Sequence, residues 1–287
     1  MSSEHVTIMI KGSVNDMFGE FRYFLTEIFP ELSKLCKSHD IELDYTDSFY
    51  SISKEDRKNN RLILDNLNAI DIDRTFFICF RGQRLGWVPC EDDVDKLTLD
   101  VYPELVKYIG TVSITELSIM HALRPFDKYE SGELISLPPV KHALFYFRNP
   151  NYLENLSDYQ KIFYTNSIMG EDAEVPDMNI AKAKDLIVDT KEEFDSKDDI
   201  QSQIIVRHYD GFWDNELNRN ESIQEYIEKY AELKGFSSDN PIEFGVLFDE
   251  EAVGCFCDFK CENKSLKECI IEDIMESLKV EFPQNFV

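Results

Sequence analysis

Four cations in this sequence follow directly on short apolar runs that read as β-strands. They are Lys11, in Lys11-Gly12-Ser13, Arg81 and Arg84, in Arg81-Gly82-Gln83-Arg84, and Arg148, in Arg148-Asn149. A further run ends at Asp47 to Tyr50. Ligands of open α/β sheets bind at the carboxyl ends of the strands. Cations gathered at that edge of an acidic protein would make a locally positive cleft for a carboxylate or a phosphate. The plainer reading is that they pair with nearby acids such as Asp16, Asp47 or Glu116 and pin loops.

Other chemistries find less support. There is neither a GxxxxGK[ST] phosphate loop nor a GxGxxG dinucleotide fingerprint. No GxSxG nucleophile elbow exists. Cys255, Cys257, Cys261 and Cys269 lack the paired knuckles of a structural zinc site, so no metal is expected. Read as a strand, the segment puts Cys255, Cys257, Phe259 and Cys261 on one face and Phe256, Asp258 and Lys260 on the other. The five histidines are scattered without metal spacing, and His121 does not align with Glu116 on a helix.

The elements that must position these groups are strands at Val6–Ile10, Ile41–Tyr45, Phe76–Phe80, Ala143–Phe147 and Ile204–His208. Continuous apolar runs of this kind suit strands covered on both faces. Helical spacing joins Met17, Phe21, Phe24, Leu25, Ile28, Leu32 and Leu35, with Pro30 as a kink or break. A second helix carries Leu62, Leu67 and Ile70. A third carries Leu117, Met120 and Leu123 behind a Ser113–Glu116 capping box. Later helices are expected at Ile180–Phe194, Ile223–Leu233 and Leu266–Leu278. Glu91–Asp100, Asp127–Val140 and Gly170–Asp177 read as connections, and Asp189–Asp199 as a solvated helix end and loop. This alternation predicts one α/β domain over residues 1–287, a doubly wound, mainly parallel five-stranded sheet with a decorated C-terminal third.

The chain carries 30 basic against 56 acidic residues, a net charge of −26, which repels polyanions and argues against direct DNA or RNA contact. With 43% hydrophobic residues it can bury a core, and disorder is not expected. No secretory signal or apolar run of membrane-spanning length appears, and seven cysteines fit reduced thiols, so a cytoplasmic location is expected.

Four segments in order carry a resemblance: VTIMIKGSVNDMFGEFRYFLTEIFPELSKLC, RTFFICFRGQRLGWVP, YPELVKYIGTVSITELSIMHAL and HALFYFRNPNYL. They resemble the N-terminal domain of the telomerase-associated protein, nephrocystin-3 and NACHT–WD-repeat family. The resemblance extends weakly to IIVRHYDGFW and the last helix. It implies a TIR-like, flavodoxin-like fold, placed in the family ahead of an ATPase and a repeat scaffold, and here expected as the domain alone. It also implies an interaction or signalling role inside large assemblies. Some TIR-like relatives cleave NAD with a glutamate on the helix after the third strand, a place that Glu116 occupies here. On that reading Ser13 and Asp47 would position the ribose, Arg81 or Arg84 would meet phosphate, and Glu116 would stabilise positive charge developing at the sugar.

The sequence departs from the family where such a site needs polar groups. The family's SST is Lys11-Gly12-Ser13, and in its DLRWG only Asp47 stays, with Phe49, Tyr50 and Ser51 after it. Its Glu-Arg pair is Glu20-Phe21, and the second acid of SVTELE is Ser118. An arginine replaced by phenylalanine loses a bidentate anion contact outright. The expected function is therefore a non-catalytic interaction or scaffold subunit of a larger complex, for signalling or a ribonucleoprotein. It would use no cofactor and would select partners with basic surfaces. The alternative is an NAD-cleaving hydrolase acting through Glu116, with Ser13, Asp47, Arg81, Arg84 and Arg148 in a nucleotide cleft.

Overall fold

A computed structural model describes residues 3–13, 16–47, 61–71, 75–123, 140–165, 174–195, 203–235 and 253–286. The first half lays down β1 (Glu4–Lys11), α1 (Phe18–Tyr23), α2 (Phe29–Lys37), β2 (Ile41–Asp47), α3 (Leu62–Ile70), β3 (Thr75–Arg81), α4 (Lys96–Val101) and α5 (Ile114–Leu123). There follow β4 (His142–Arg148), α6 (Asp158–Tyr164), α7 (Glu174–Asp195), β5 (Gln203–Asn218), α8 (Arg219–Lys234), β6 (Val253–Cys261), β7 (Lys264–Ser265) and α9 (Leu266–Glu281).

The sheet has seven strands in the order β2-β1-β3-β4-β5-β6-β7, which corrects the expected five. The first five pair in parallel, and the strand order reverses between β1 and β3. The expected fifth strand is only the first part of β5. Past Tyr209 the same strand leaves β4 and pairs antiparallel with β6 from Asp210 on. Two separate apolar clusters cover the faces. Ile8, Ile10, Phe76, Ile78, Phe80 and Leu144 belong to one, and Met9, Phe77, Cys79, Ala143 and Phe145 to the other. Alternate residues of one strand thus enter different cores, which is why these strands read as unbroken apolar runs.

Other expectations need local correction. The first helix is broken not at Pro30 itself but by a π turn over Phe24–Ile28, after which Pro30 sits in the first turn of α2. The proline donates no amide to the preceding turn, and the wider π turn lies where that bond is missing. Within Glu91–Asp100, read as a loop, Asp95 caps α4 by accepting from the Thr98 amide at 2.8 Å. The connection read at Gly170–Asp177 gives way to α7 at Glu174. On β6 the strict alternation fails. A bulge sets Phe212 opposite Asp258 and Trp213 opposite Phe256, skipping Cys257. Cys255, Phe256, Phe259 and Cys261 are therefore buried, while Cys257 is exposed. Residues 127–139, 170–173 and 196–199 lie outside the described residues, as do Phe49, Tyr50 and Ser51. No helix among the described residues is long and apolar enough to cross a membrane.

Candidate functional site

The carboxyl edge of the sheet is built around Arg148, the last residue of β4, whose side chain is wholly buried. Its Nη1 donates to Glu20 Oε1 at 2.7 Å and to the Asp16 carbonyl at 3.2 Å. Its Nη2 donates to Asp16 Oδ1 and to the Tyr152 hydroxyl. The rings of Phe256 and Tyr152 lie 4.2 and 4.4 Å from the guanidinium carbon. Tyr209 donates to the same Glu20 oxygen at 2.8 Å. Burial works against the charge on Arg148, but Glu20 and Asp16 outweigh it and hold the guanidinium well above its ordinary range. Burial pushes the Asp16 carboxyl up to about 6, opposed by Arg148 and reinforced by Glu20.

This assembly lies at the carboxyl edge of the parallel strands, beside two glycines. A Cβ on Gly12 would stand 2.9 Å from the Phe80 carbonyl oxygen and 3.0 Å from Met17 Cγ. One on Gly82 would press into Asp16 Oδ2 and stand 2.5 Å from Met17 Cε and 2.9 Å from Arg148 Nη2. Gly12 is thus held against the β3 backbone and Met17, and Gly82 against Asp16, Met17 and Arg148.

A second centre joins Arg81 and Glu116. Arg81 Nη2 donates to Glu116 Oε1 at 2.9 Å, with both side chains buried. Glu116 Oε2 accepts from the Ser113 hydroxyl at 2.5 Å and the Ser113 amide at 3.1 Å, and the Glu116 amide donates back to Ser113 Oγ at 3.3 Å. The capping box predicted from the spacing is thus the setting in which Glu116 sits. Burial raises the Glu116 carboxyl, and Arg81 and Ser113 pull it back. Buried Ser13 faces this centre across Gly86, whose φ is +93°. A Cβ there would stand 3.8 Å from the Cβ atoms of both Ser13 and Ser113.

Of the remaining predicted residues, Lys11 and Asp47 have partners outside these two centres, and Arg84 touches the first through its backbone. The Lys11 ammonium donates to Asn66 Oδ1, and burial lowers it to about 8 against the pull of Asp47. Asp47 Oδ2 accepts from the hydroxyls of Tyr45 and Tyr226. The Arg84 amide donates to Asp16 Oδ2 at 3.3 Å, while burial lowers its guanidinium, with Arg219 adding to the effect and Asp16 resisting it. Sequence reasoning named Asp16 only as a neighbour and missed the joint role of Asp16 and Glu20. Their spacing of four residues, which sets one carboxylate just before α1 and the other in its first turn, was the available signal. Tyr152, Tyr209 and Tyr226 carried no such signal. Among the described residues no three His, Cys, Asp or Glu side chains are grouped to hold a metal ion.

Comparison with known proteins gives similarity over part of the chain. Telomerase protein component 1 of Rattus norvegicus is 26% identical over 160 residues, which is 55% of this chain and 6% of that protein. The protein of the same name from Mus musculus is 25% identical over 160 residues, with the same coverage. A TPR repeat-containing protein of Dictyostelium discoideum is 25% identical over 173 residues, 56% of this chain and 9% of that protein. The chain therefore spans less than a tenth of the length of these relatives. No family model matches the chain, and no solved structure matches it.

Proposed function

We propose that this chain is a non-catalytic protein-interaction module of a larger complex, built on a flavodoxin-like, TIR-like core that has kept its shape and closed its ligand crevice. The observation that carries this reading is the buried Arg148–Asp16–Glu20 assembly, because it spends the charged groups of the carboxyl edge, where such sheets receive ligands, on one another. The order β2-β1-β3-β4-β5 of the parallel strands supports the fold part of the reading. Similarity to telomerase protein component 1 supports a scaffold role in a ribonucleoprotein or a comparable assembly. Attachment to RNA would run through a protein partner, since a net charge of −26 repels phosphate.

The surface proposed for docking lies on the segment after β3. Trp87 and Val106 are exposed there, with Leu97 and Val101 one helical turn apart on α4. Glu91, Asp92 and Asp93 precede them, which favours a partner that brings basic side chains around an apolar strip. The test has two parts. Affinity capture from native cytoplasmic extract should recover a stoichiometric protein partner that is lost with the Leu97→Ser/Val101→Ser double variant. Incubation of concentrated protein with NAD should release no nicotinamide. Release that Glu116→Gln abolishes would replace this reading with the hydrolase.

A further inference from the structure

A cavity of about 430 Å³ opens on the carboxyl side of β4 and β5, where β5 leaves the parallel sheet to pair with β6. Its lining shares Tyr152 with the Arg148 centre and no residue with the Arg81–Glu116 centre. Its floor is Gly211, where a Cβ would stand 2.9 Å from the Phe256 ring and 3.1 Å from Arg148 Cδ. The guanidinium of Arg148 is sealed behind this floor, with no exposed surface.

The lining sets amides beside aromatic rings. Asn149, Asn151, Asn155 and Asn215 contribute, together with Asp210 and Trp213. The indole is held rigidly. Gly254 lies so close that a Cβ there would stand 2.6 Å from Trp213 Cε2, and Tyr164 and Phe256 each pack edge-on with ring centroids 5.2 Å away. Trp213 Nε1 donates to Asn215 Oδ1 at 2.8 Å, which leaves the Asn215 amide nitrogen to donate elsewhere. Asn149 Nδ2 donates to Asp210 Oδ1 at 2.7 Å, which leaves the second carboxylate oxygen to accept. Among the described residues no protein group hydrogen-bonds the side-chain amides of Asn151 and Asn155.

We infer that this cavity is a binding site for a neutral sugar ring. Its volume lies within the range of small-molecule sites. The one charged side chain in the lining is the carboxylate of Asp210, and the whole chain is strongly acidic, so an anionic ligand such as a nucleotide is repelled. A locked aromatic side chain offers an apolar surface to the C–H face of a pyranose. Amides and a carboxylate supply donors and acceptors in alternation, matching hydroxyls that each donate one bond and accept two. Rigid placement lowers the entropic cost of binding.

The test is a titration of the whole chain with glucose, galactose, N-acetylglucosamine and maltose, following the indole N–H resonances of Trp213 and Trp87 by NMR. Trp213→Phe assigns them. At least one sugar should shift the Trp213 signal with millimolar affinity and little dependence on salt. Asn151→Ala and Asn155→Ala remove exposed side chains and leave the fold intact. Each should weaken binding about fivefold, the loss of one ordinary hydrogen bond. The inference is overturned if tens of millimolar of every sugar leave the Trp213 resonance in place. It is equally overturned if adenine shifts that resonance at lower concentration than any sugar, or if both asparagine variants bind like the parent chain. None of these outcomes bears on the interaction role proposed above, which concerns the segment after β3.

Discussion

The two ends of the sheet treat buried charge in opposite ways. At the carboxyl end the buried Arg148 is paired with both Asp16 and Glu20, Tyr209 adds a further donor, and the guanidinium keeps its charge. At the amino end His142, the first residue of β4, is also buried and stacks on Phe76 with ring centroids 4.5 Å apart. Its nearest acid, Glu281, stands 3.7 Å away and is already engaged by Lys141 at 2.6 Å. Burial lowers the imidazole to about 4 despite Glu281, so at neutral pH it carries no charge. Partner supply, rather than depth, decides which buried group keeps its charge.

Removing the central cation is the largest test of this contrast. Arg148→Ala leaves Asp16 and Glu20 facing one another in the core, and should cost about 3–5 kcal/mol of stability, read by urea unfolding. A loss below about 1 kcal/mol would show that the carboxylates find water or protons without it.

The ends should also respond to acid with opposite signs. The unfolded chain protonates histidine near 6.5, whereas folded His142 waits until about 4. Its neutral form therefore contributes stability that is present above pH 6.5 and lost as the pH falls to 4, about 3 kcal/mol in full. Folded Asp16 takes its proton near 6, ahead of the unfolded chain at 3.8. Its contribution to stability rises as the pH falls through that window, with Glu20, Arg148, Arg84 and Arg81 as the charges around it. Unfolding free energies measured between pH 7 and 4 should fall less steeply for His142→Gln than for the parent chain, and more steeply for Asp16→Asn. Curves that coincide would abolish the distinction between the ends.

Packing gives a narrower test. Gly82→Ala drives a methyl group into Asp16 and Met17. It should cost about 1–3 kcal/mol, as overpacked cores do. The same change at Gly110, whose Cβ would meet nothing within 4 Å, carries only the strain of its φ of +79°. Thermal unfolding of the two variants separates crowding beside the Arg148 centre from backbone strain.

How far the sequence spoke for this arrangement depended on the distance over which each feature is encoded. β1, β3 and β4 were legible because burial on both faces makes a run such as Phe76 to Phe80 wholly apolar. The outer part of β5 was not, and the strand read over Cys255–Cys261 was given the wrong face for Cys257, since the bulge there breaks the period. The Ser113–Glu116 box was local and therefore visible. The clasp on Arg148 joins residues 128 positions apart, and Tyr209 meets Glu20 across 189, so no window of sequence contains either. The asparagines around the β4–β5 cavity carry in sequence only the ordinary signature of turns.

The smallest expected effect separates the two centres at the carboxyl end. Ser113 Oγ both caps α5, by accepting from the Glu116 amide, and donates to the Glu116 carboxylate. Ser113→Ala removes both bonds but leaves the Ser113 position's amide on Oε2 and Arg81 on Oε1. Glu116 therefore keeps its cationic partner, and the loss should be about 1 kcal/mol, that of an N-cap. Guanidinium unfolding of the variant should show a shifted midpoint with an unchanged slope. A cost near that of Arg148→Ala would mean that the serine, and not Arg81, holds the glutamate in the core. The rule that partner supply governs buried charge would then fail at the very edge where it was derived.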